Sequence, residues 1–384
     1  MLKATKVRIY PTDEQADFLN QQFGAVRFTY NKALHILSHQ YKTKGRSLNA
    51  KKHMKPLLAV AKRSRKYVWL KDYDSIALQQ ACLNLNNAFK KFFDKTDPAR
   101  YPRFKRKHGK QTSYHCTSVS AGENWIKIPK MKLIKARIHR PIEGKISSIT
   151  ISRSATGKYY ASILAQDGIE EAPSIQSINA EKVIGLDMGI THLVIASDGK
   201  RTENPRFIKR ARRNLRTKQK ALSRCQKGSR GRAKARFHVA KAHERVERAR
   251  DHFQHTLSRR LVDENQAIIV ETLKVKNMLK NRKLSKHIAD AAWSSLIEKI
   301  SYKAKAQGKH LVKLDQWFAS SKTCHACHHK LESLSLSTRH WRCPTCSVLH
   351  DRDDNASMNI KHQGILAMKA AGLSVSANGG LRKS

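Results

Sequence analysis

Two groups of residues in this sequence have the types and spacing to do chemistry. Cys324-x-x-Cys327 and Cys343-x-x-Cys346 are separated by 15 residues, the interval at which two cysteine knuckles close one tetrahedral Zn2+ site. Four thiolates leave no open coordination position, so such a zinc ion holds structure and does not catalyse. His325, His328 and His329 lie beside the first pair as rival ligands, but the paired C-x-x-C arrangement favours the sulfurs. The second group is three acids that end or interrupt apolar strands. Asp187 stands in VIGLDMG, Glu271 follows AIIV, and Asp353 lies in HDRDDNASMNI at the expected start of a helix. A carboxylate in an apolar setting is costly unless a cation compensates it. A lone acid at a strand end ordinarily caps the next element. Three of them on successive elements of an α/β pattern read instead as hard oxygen ligands for Mg2+ or Mn2+. Two such ions activate water and stabilise the leaving oxygen in phosphodiester cleavage. Gly185 and Gly189, either side of Asp187, are expected to let a phosphate or metal approach the backbone closely.

A third segment points to a partner. RYPRFKRKHGK, residues 100–110, interleaves Arg100, Arg103, Lys105, Arg106 and Lys107 with Tyr101 and Phe104. Cations neutralise phosphates while aromatic rings stack on bases, so these residues read as nucleic-acid contacts against the alternative of a solvated basic loop. The whole chain supports this: 77 Lys+Arg against 29 Asp+Glu leave a formal net charge of +48 over 384 residues. A few net charges suffice for solubility, whereas this excess repels itself and calls for a polyanion. No amphipathic anchor, lipidation motif, secretory h-region or long apolar run is visible, so phosphate backbone is expected and a membrane is not. The unpaired cysteine pattern suits a reducing compartment, and a cytoplasmic, nucleoid-associated protein is expected.

The elements that must carry these residues follow from pattern. Residues 2–10 read as a strand, and Thr12 with Gln15 has capping-box spacing for a helix starting at Asp13. Leu78, Cys82, Leu85, Phe89 and Phe92 share one helix face, which is a core stripe. Residues 125–165 switch to short strands around turns at Gly144 and Gly157, to which the N-terminal strand is expected to pair. Residues 168–180 read as a polar linker. EKVIGLDMGITHLVIASDGK then reads as two strands joined by a tight turn, and 206–262 as long basic helices. Between 201 and 250 there are 19 Lys+Arg and 3 Asp+Glu, a net of +16, the density of a surface that faces nucleic acid. QAIIVETL is a buried strand, 286–306 a helix, HLVKLDQW another strand, and the tail from Gly372 is expected to be loose.

The ordered set G-L-D-M-G, V-E-T-L-K-V-K-N-M, C-x-x-C…C-x-x-C and H-D-R-D-D-N-A-S-M-N-I resembles the TnpB (OrfB) family of transposon-encoded proteins, relatives of type V CRISPR effector nucleases. RIYPT, GAVRFTYNKAL, ALQQACLNLNNAFKKFF, RYPRFKRK, SITISR…GKYYAS and NRKLSKHIADAAW extend the resemblance over nearly the whole chain. It implies an RNA-guided, metal-dependent DNA endonuclease with an α/β multidomain fold. The RNase H-like (RuvC) core would span 180–319 and 350–371, with a zinc ribbon inserted at 320–349. A β-barrel wedge domain would take 1–12 and 96–178, a helical recognition domain 13–95, and a flexible tail 372–384. The family's catalytic acids fall on Asp187, Glu271 and Asp353, and its zinc ligands on the four cysteines. The implied partners are a transposon-end guide RNA and target DNA, bound by a monomer. Two departures stand out. In the usual D-R-D-x-N-A-A motif x is here Asp354 and the second Ala is Ser357, so that two adjacent acids compete for the third ligand position and alignment favours Asp353. Thr272 replaces the Asp that commonly follows the second acid.

Overall fold

The computed structural model describes residues 2–376 except 98, 108–111, 169, 171 and 336. Contacts divide the chain into two compact units, Met1–Glu170 and Glu171–Ser384, and the boundary falls inside the polar stretch 168–180.

In the first unit, β1 (Leu2–Tyr10) leads directly into α1 (Asp13–Lys44). The helix starts where the capping box places it. The Gln15 N–H donates to Thr12 Oγ1 at 3.3 Å and the Thr12 N–H to Gln15 Oε1 at 3.1 Å. It stops at Gly45, whose φ of 63° ends the helix in the left-handed region. A π-helical turn (Ala50–Met54) and α2 (Lys55–Ala61) follow, then α3 (Ser75–Phe93). The α3 stripe buries Leu78, Cys82 and Leu85 against Leu19, Phe23 and Leu34 of the same core. Phe92, at the end of the expected stripe, is instead exposed, because the helix ends one residue later.

The strands β2 (Ser113–Cys116), β3 (Ser120–Ala121), β4 (Trp125–Lys127), β5 (Ile134–Arg137), β6 (Lys145–Arg153) and β7 (Tyr159–Gln166) complete this unit. With β1 they form an antiparallel seven-stranded sheet of order β2-β6-β7-β1-β5-β4-β3. The N-terminal strand sits at its centre, between β7 and β5, as the alternation of residues 2–10 leads one to expect. Gly144, at φ 82°, sits where a Cβ would meet the Gln166 carbonyl at 2.0 Å, so glycine is required at that turn.

The second unit begins with β8 (Ser177–Asn179), β9 (Val183–Asp187), β10 (His192–Ala196) and β11 (Arg201–Glu203). A basic helical hairpin follows, α4 (Phe207–Arg224) and α5 (Arg230–Glu264), then β12 (Ala267–Glu271). Next come α6 (Val275–Met278), α7 (Ser285–Ala291), α8 (Trp293–Ala306) and β13 (His310–Leu314). β14 (His340–Arg342), β15 (Leu349–Asp351), α9 (Arg352–Ala370) and β16 (Ser374–Ser376) close the unit. The central sheet has the order β11-β10-β9-β12-β13, with β9, β12 and β13 parallel and β10 and β11 antiparallel to their neighbours.

Three expectations change here. Residues 286–306 are not one helix: Ala292 adopts φ 50° and breaks it. The Gln254 side-chain amide donates to the carbonyls of Ala291 and Ala292, and Trp293 is buried beside the break. The linker is partly structured, because Ile178 is fully buried and β8 pairs in parallel with β16. That pairing also orders Ser374–Ser376 at the start of the tail; residues 377–384 lie outside the described residues.

The third change concerns the glycines around Asp187. A Cβ on Gly185 would meet the Ser357 carbonyl oxygen at 2.3 Å and the Lys361 nitrogen at 2.5 Å. The space is therefore filled by the backbone of α9, which lies directly on β9, and not by a ligand. At Gly189 a Cβ would meet the His192 carbonyl at 2.7 Å, so that glycine serves the β9–β10 turn. Further along the same face of the helix, Gly364 faces the side-chain carbons of Ile269, the register partner of Gly185, the closest at 2.5 Å. Gly185→Ala drives a Cβ into backbone that cannot turn aside and should cost on the order of 1–3 kcal/mol; Gly364→Ala presses on the branch carbons of the buried Ile269 but gains about 1 kcal/mol of helix propensity, and should cost less. Denaturant titration of the two variants checks the order.

Candidate active site and metal centre

Asp187 ends β9 and Glu271 ends β12. These strands run parallel with Leu186 beside Val270, so the register carries the next residues, Asp187 and Glu271, to the same end of the sheet. Asp353 comes from the first turn of α9, placed by the contact at Gly185. Burial raises the Asp187 carboxyl to about 7, with Glu271 and then Asp353 adding to the shift; the Met188 N–H and Arg352 act against it. Burial also raises the Glu271 carboxyl, against a short hydrogen bond from the Ser320 hydroxyl. Asp187 and Glu271 thus sit as buried carboxyls with no close cation partner among the described ion pairs.

Asp353 and Asp354 each meet a different arginine. Arg201 Nη2 binds Asp354 Oδ2 at 2.6 Å and Asp351 Oδ2 at 3.3 Å. Asp351 is the N-cap of α9, accepting from the N–H groups of Asp353 and Asp354 at 2.9 and 3.0 Å. Asp354 is thereby drawn to Arg201, while Asp353 faces Asp187 and takes a bond of 3.2 Å from Arg339.

The four cysteines come together. Their Sγ atoms all lie within 4.8 Å of one another, with Cys324–Cys346 at 3.6 Å and Cys327–Cys343 at 3.5 Å. The two knuckles share one geometry. His328 N–H donates to Cys324 O and Ser347 N–H to Cys343 O, each at 2.9 Å, and both donors adopt φ 60°. Burial pushes the Cys343 thiol up, but N–H groups of Cys346 and Thr345 and the neighbouring thiols outweigh it and hold the thiol at about 6. This donor set fits one Zn2+. His325, His328 and His329 are not in the cluster; His350 instead places Nε2 3.1 Å from Cys324 Sγ. Among the described residues no other group of three His, Cys, Asp or Glu ligand atoms is this tight.

Sequence reasoning missed the residues that join these two sites. Asn355 and Asn359, one turn apart on α9 and buried, donate to the Thr323 carbonyl at 2.8 and 2.6 Å. Asn359 also donates to the Ser320 carbonyl at 2.8 Å, and the His325 N–H donates to Asn355 Oδ1 at 2.9 Å. The segment from Ser320 to the first knuckle is thus clamped to α9, with the Ser320 hydroxyl on Glu271. The i, i+4 spacing of two asparagines inside an apolar helix face was the available signal.

Of the six residues expected to touch nucleic acid, Arg100, Arg103, Phe104 and Arg106 are exposed. Tyr101 packs edge-on against Phe89 and Phe92 and bonds Ser38 through its hydroxyl at 2.8 Å. Lys105 is half-buried: its ammonium lies 4.3 Å from the Tyr30 ring centre, and Asn31 holds its backbone N–H and carbonyl. Residues 108–110 lie outside the described residues. In the second unit, α4 buries Leu215 and turns its basic residues outward. Asp290 of α7 caps this helix, accepting from the Ile208 N–H at 3.0 Å and the Lys209 N–H at 3.2 Å.

Residues 169–282 match the family described as "Probable transposase" (OrfB, IS605), and residues 293–360 match the "Cas12f1-like, TNB domain". A Streptomyces pristinaespiralis protein named "Putative RNA-guided DNA endonuclease" is 39% identical over 95% of this chain and 90% of its own length. The chain belongs to the IS605 OrfB family. A second member, from Escherichia coli K12 and named "Putative RNA-guided DNA endonuclease InsQ", is 26% identical over 94% of this chain and 92% of its own. The fold resembles the Cas12f1 protein of a solved Cas12f1–sgRNA–target DNA complex, with a TM-score of 0.53 and 14% identity over 91% of this chain and 83% of that one. The family's profile over residues 1–46 is described as a helix-turn-helix domain, yet here those residues form a strand and one continuous helix. No described helix is long and apolar enough to cross a membrane.

Two outcomes test the electrostatics and the metal centre. The Asp187 carboxyl titrates near 7 in the fold against 3.8 as the ordinary value. Its contribution to stability is intact below the lower value and lost as pH climbs through the higher one. Asp187→Asn removes that loss. In Mg2+-free buffer the variant should match the parent near pH 4 and exceed it above pH 7.5, by on the order of a few kcal/mol; thermal melts across pH would show a flat difference if the carboxyl is not held up. Freshly purified protein should carry about one Zn2+, and Cys343→Ser should lose it and open 320–350 to protease. Metal analysis finding no zinc rejects that centre.

Proposed function

We propose that this chain is an RNA-guided, Mg2+- or Mn2+-dependent DNA endonuclease encoded by an insertion sequence. The observation that carries the proposal is the meeting of Asp187, Glu271 and Asp353 at one sheet end, with Asp187 driven up to about 7, in a chain whose full-length relative is named an RNA-guided DNA endonuclease. Hard carboxylates that burden the fold when bare suit divalent cations. The ions would supply the charge that activates water and stabilises the leaving oxygen. The protein's part is to hold the acids. β9 and β12 fix Asp187 and Glu271 in register, Ser320 orients the Glu271 carboxylate, and α9 presents Asp353 while Arg201 keeps Asp354 away.

The strand order of the second unit, with α9 laid on β9, supports reading 180–319 and 350–371 as an RNase H-like (RuvC) nuclease core. Residues 320–349 would be its structural zinc ribbon. The first unit would comprise a β-barrel wedge domain, 1–12 and 96–178, and a helical recognition domain, 13–95. In this division the α4–α5 hairpin and residues 100–106 meet the phosphates of a transposon-end guide RNA and target DNA. Base pairing would supply most of the sequence specificity, and the complex would be a cytoplasmic, nucleoid-associated monomer with its RNA.

Protein made in its own genomic context should copurify with an RNA from the element's end, and cleavage should require that RNA, a matched target and Mg2+. Asp187→Ala and Glu271→Ala should each abolish cutting, by about 10^3-fold or more, and leave RNA binding intact. Guide-independent cutting would favour an RNA-independent transposase; guided binding without cutting would favour a repressor.

A further inference from the structure

Trp317 is 79% exposed, more than any other large apolar side chain among the described residues. Single exposed apolar residues are common, but three features set this one apart. Its backbone is fixed: the Trp317 N–H donates to Asp315 Oδ1 at 2.8 Å and the Phe318 N–H to Asp315 O at 3.2 Å. Phe318, the next residue, packs into the apolar cluster around Leu314 and Ile269, so the turn is anchored from below while the indole stays outside. A cation accompanies it, with Lys274 Nζ 5.2 Å from the ring centre. Lastly, the pair sits at the acid end of the sheet. Glu271 and Leu314 are register partners on β12 and β13. Lys274 lies three residues beyond the first and Trp317 three beyond the second. Three residues reach at most about 10 Å, the rise of roughly three stacked nucleotides.

An indole face held open beside a cation, a short reach from metal-binding acids, matches what an unpaired nucleotide needs. Every base offers a π-face, so stacking tolerates any sequence, and a lysine next to the ring meets the adjoining phosphate. Neither residue was singled out by sequence; Trp317 read as the end of the strand HLVKLDQW, which in the structure stops at Leu314. We propose that Trp317, with Lys274, is a stacking platform for an unpaired base of the DNA strand entering the Asp187–Glu271–Asp353 site. The proposal rests on the nuclease reading above and adds to it the seat of one substrate base.

The test uses the full chain loaded with its RNA and a matched duplex in which one abasic nucleotide is walked along each strand. One abasic position should slow the parent about tenfold. Trp317→Ala should slow intact DNA to the same extent and lose its sensitivity at that position, and Trp317→Phe should recover most of the rate. Trp317→Ala remaining sensitive at every position overturns the platform, whatever its rate. A second arm needs no cleavage: a thymidine oligonucleotide carrying one 5-iodouracil is photocrosslinked and the attached peptide identified. A crosslink at Trp317 in a preparation that does not cut keeps the base site and removes the nuclease reading. Crosslinks confined to 100–106 or to α4–α5, with normal guided cutting, remove the base site and keep the nuclease. Stronger crosslinking at Trp317 by the same oligonucleotide made as RNA overturns the DNA assignment.

Discussion

The contact between the backbone of α9 and the backbone of β9 at Gly185 organises the second unit. Without a side chain there, the helix sits directly on the central strand. Its first turn then reaches the end of β9, where Asp187 stands, and its second and third faces become available to other segments. Asn355 and Asn359 use that closeness to hold Ser320 and Thr323. Helix, acid cluster and cysteine knuckle are thus successive consequences of one close approach.

The charge distribution has a complementary logic. A chain of net charge +48 gathers acids at one sheet end and gives arginines to the outer ones. Arg201 holds Asp351 and Asp354, and Arg339 reaches Asp353. The acids nearest the centre, Asp187 and Glu271, are given a backbone N–H and a hydroxyl, respectively, and no close arginine partner among the described ion pairs. Neutral donors orient a carboxylate without cancelling its charge, which is what a cation site requires.

Local signals were legible in the sequence, and long-range ones were not. The Thr12–Gln15 box, the α3 stripe through Leu85, the strand AIIV and the C-x-x-C pairs are written within a few residues, and the structure carries each of these elements. The break at Ala292 depends on Gln254, 38 residues earlier, so periodicity ran straight through it. Gly185 read as an open backbone because nothing nearby in sequence announces a helix 172 residues downstream at Ser357. The partner of Asp354, Arg201, is equally remote in sequence. Residues 100–110 read as a continuous basic–aromatic strip, yet Tyr101 and Lys105 are partly spent on α1 and α3.

The α4–α5 hairpin has a mechanical consequence. α5 runs for 35 residues and is followed almost at once by β12, with Asn265 and Gln266 between them. At 1.5 Å per residue it is a rod of about 50 Å, locked to α4 near its far end by Arg232, which donates to the carbonyls of Leu222 and Cys225. From Ala242 to Val262 the rod is held: Ala242, Val246, Gln254, Leu257 and Leu261 are buried, and Gln254 bonds the break at Ala292. Only the stretch before Ala242, about 18 Å long, carries no buried residue and stands clear with the end of α4. That short arm can sway against a long polyanion, while the held length of about 30 Å separates its motion from the strand that carries Glu271.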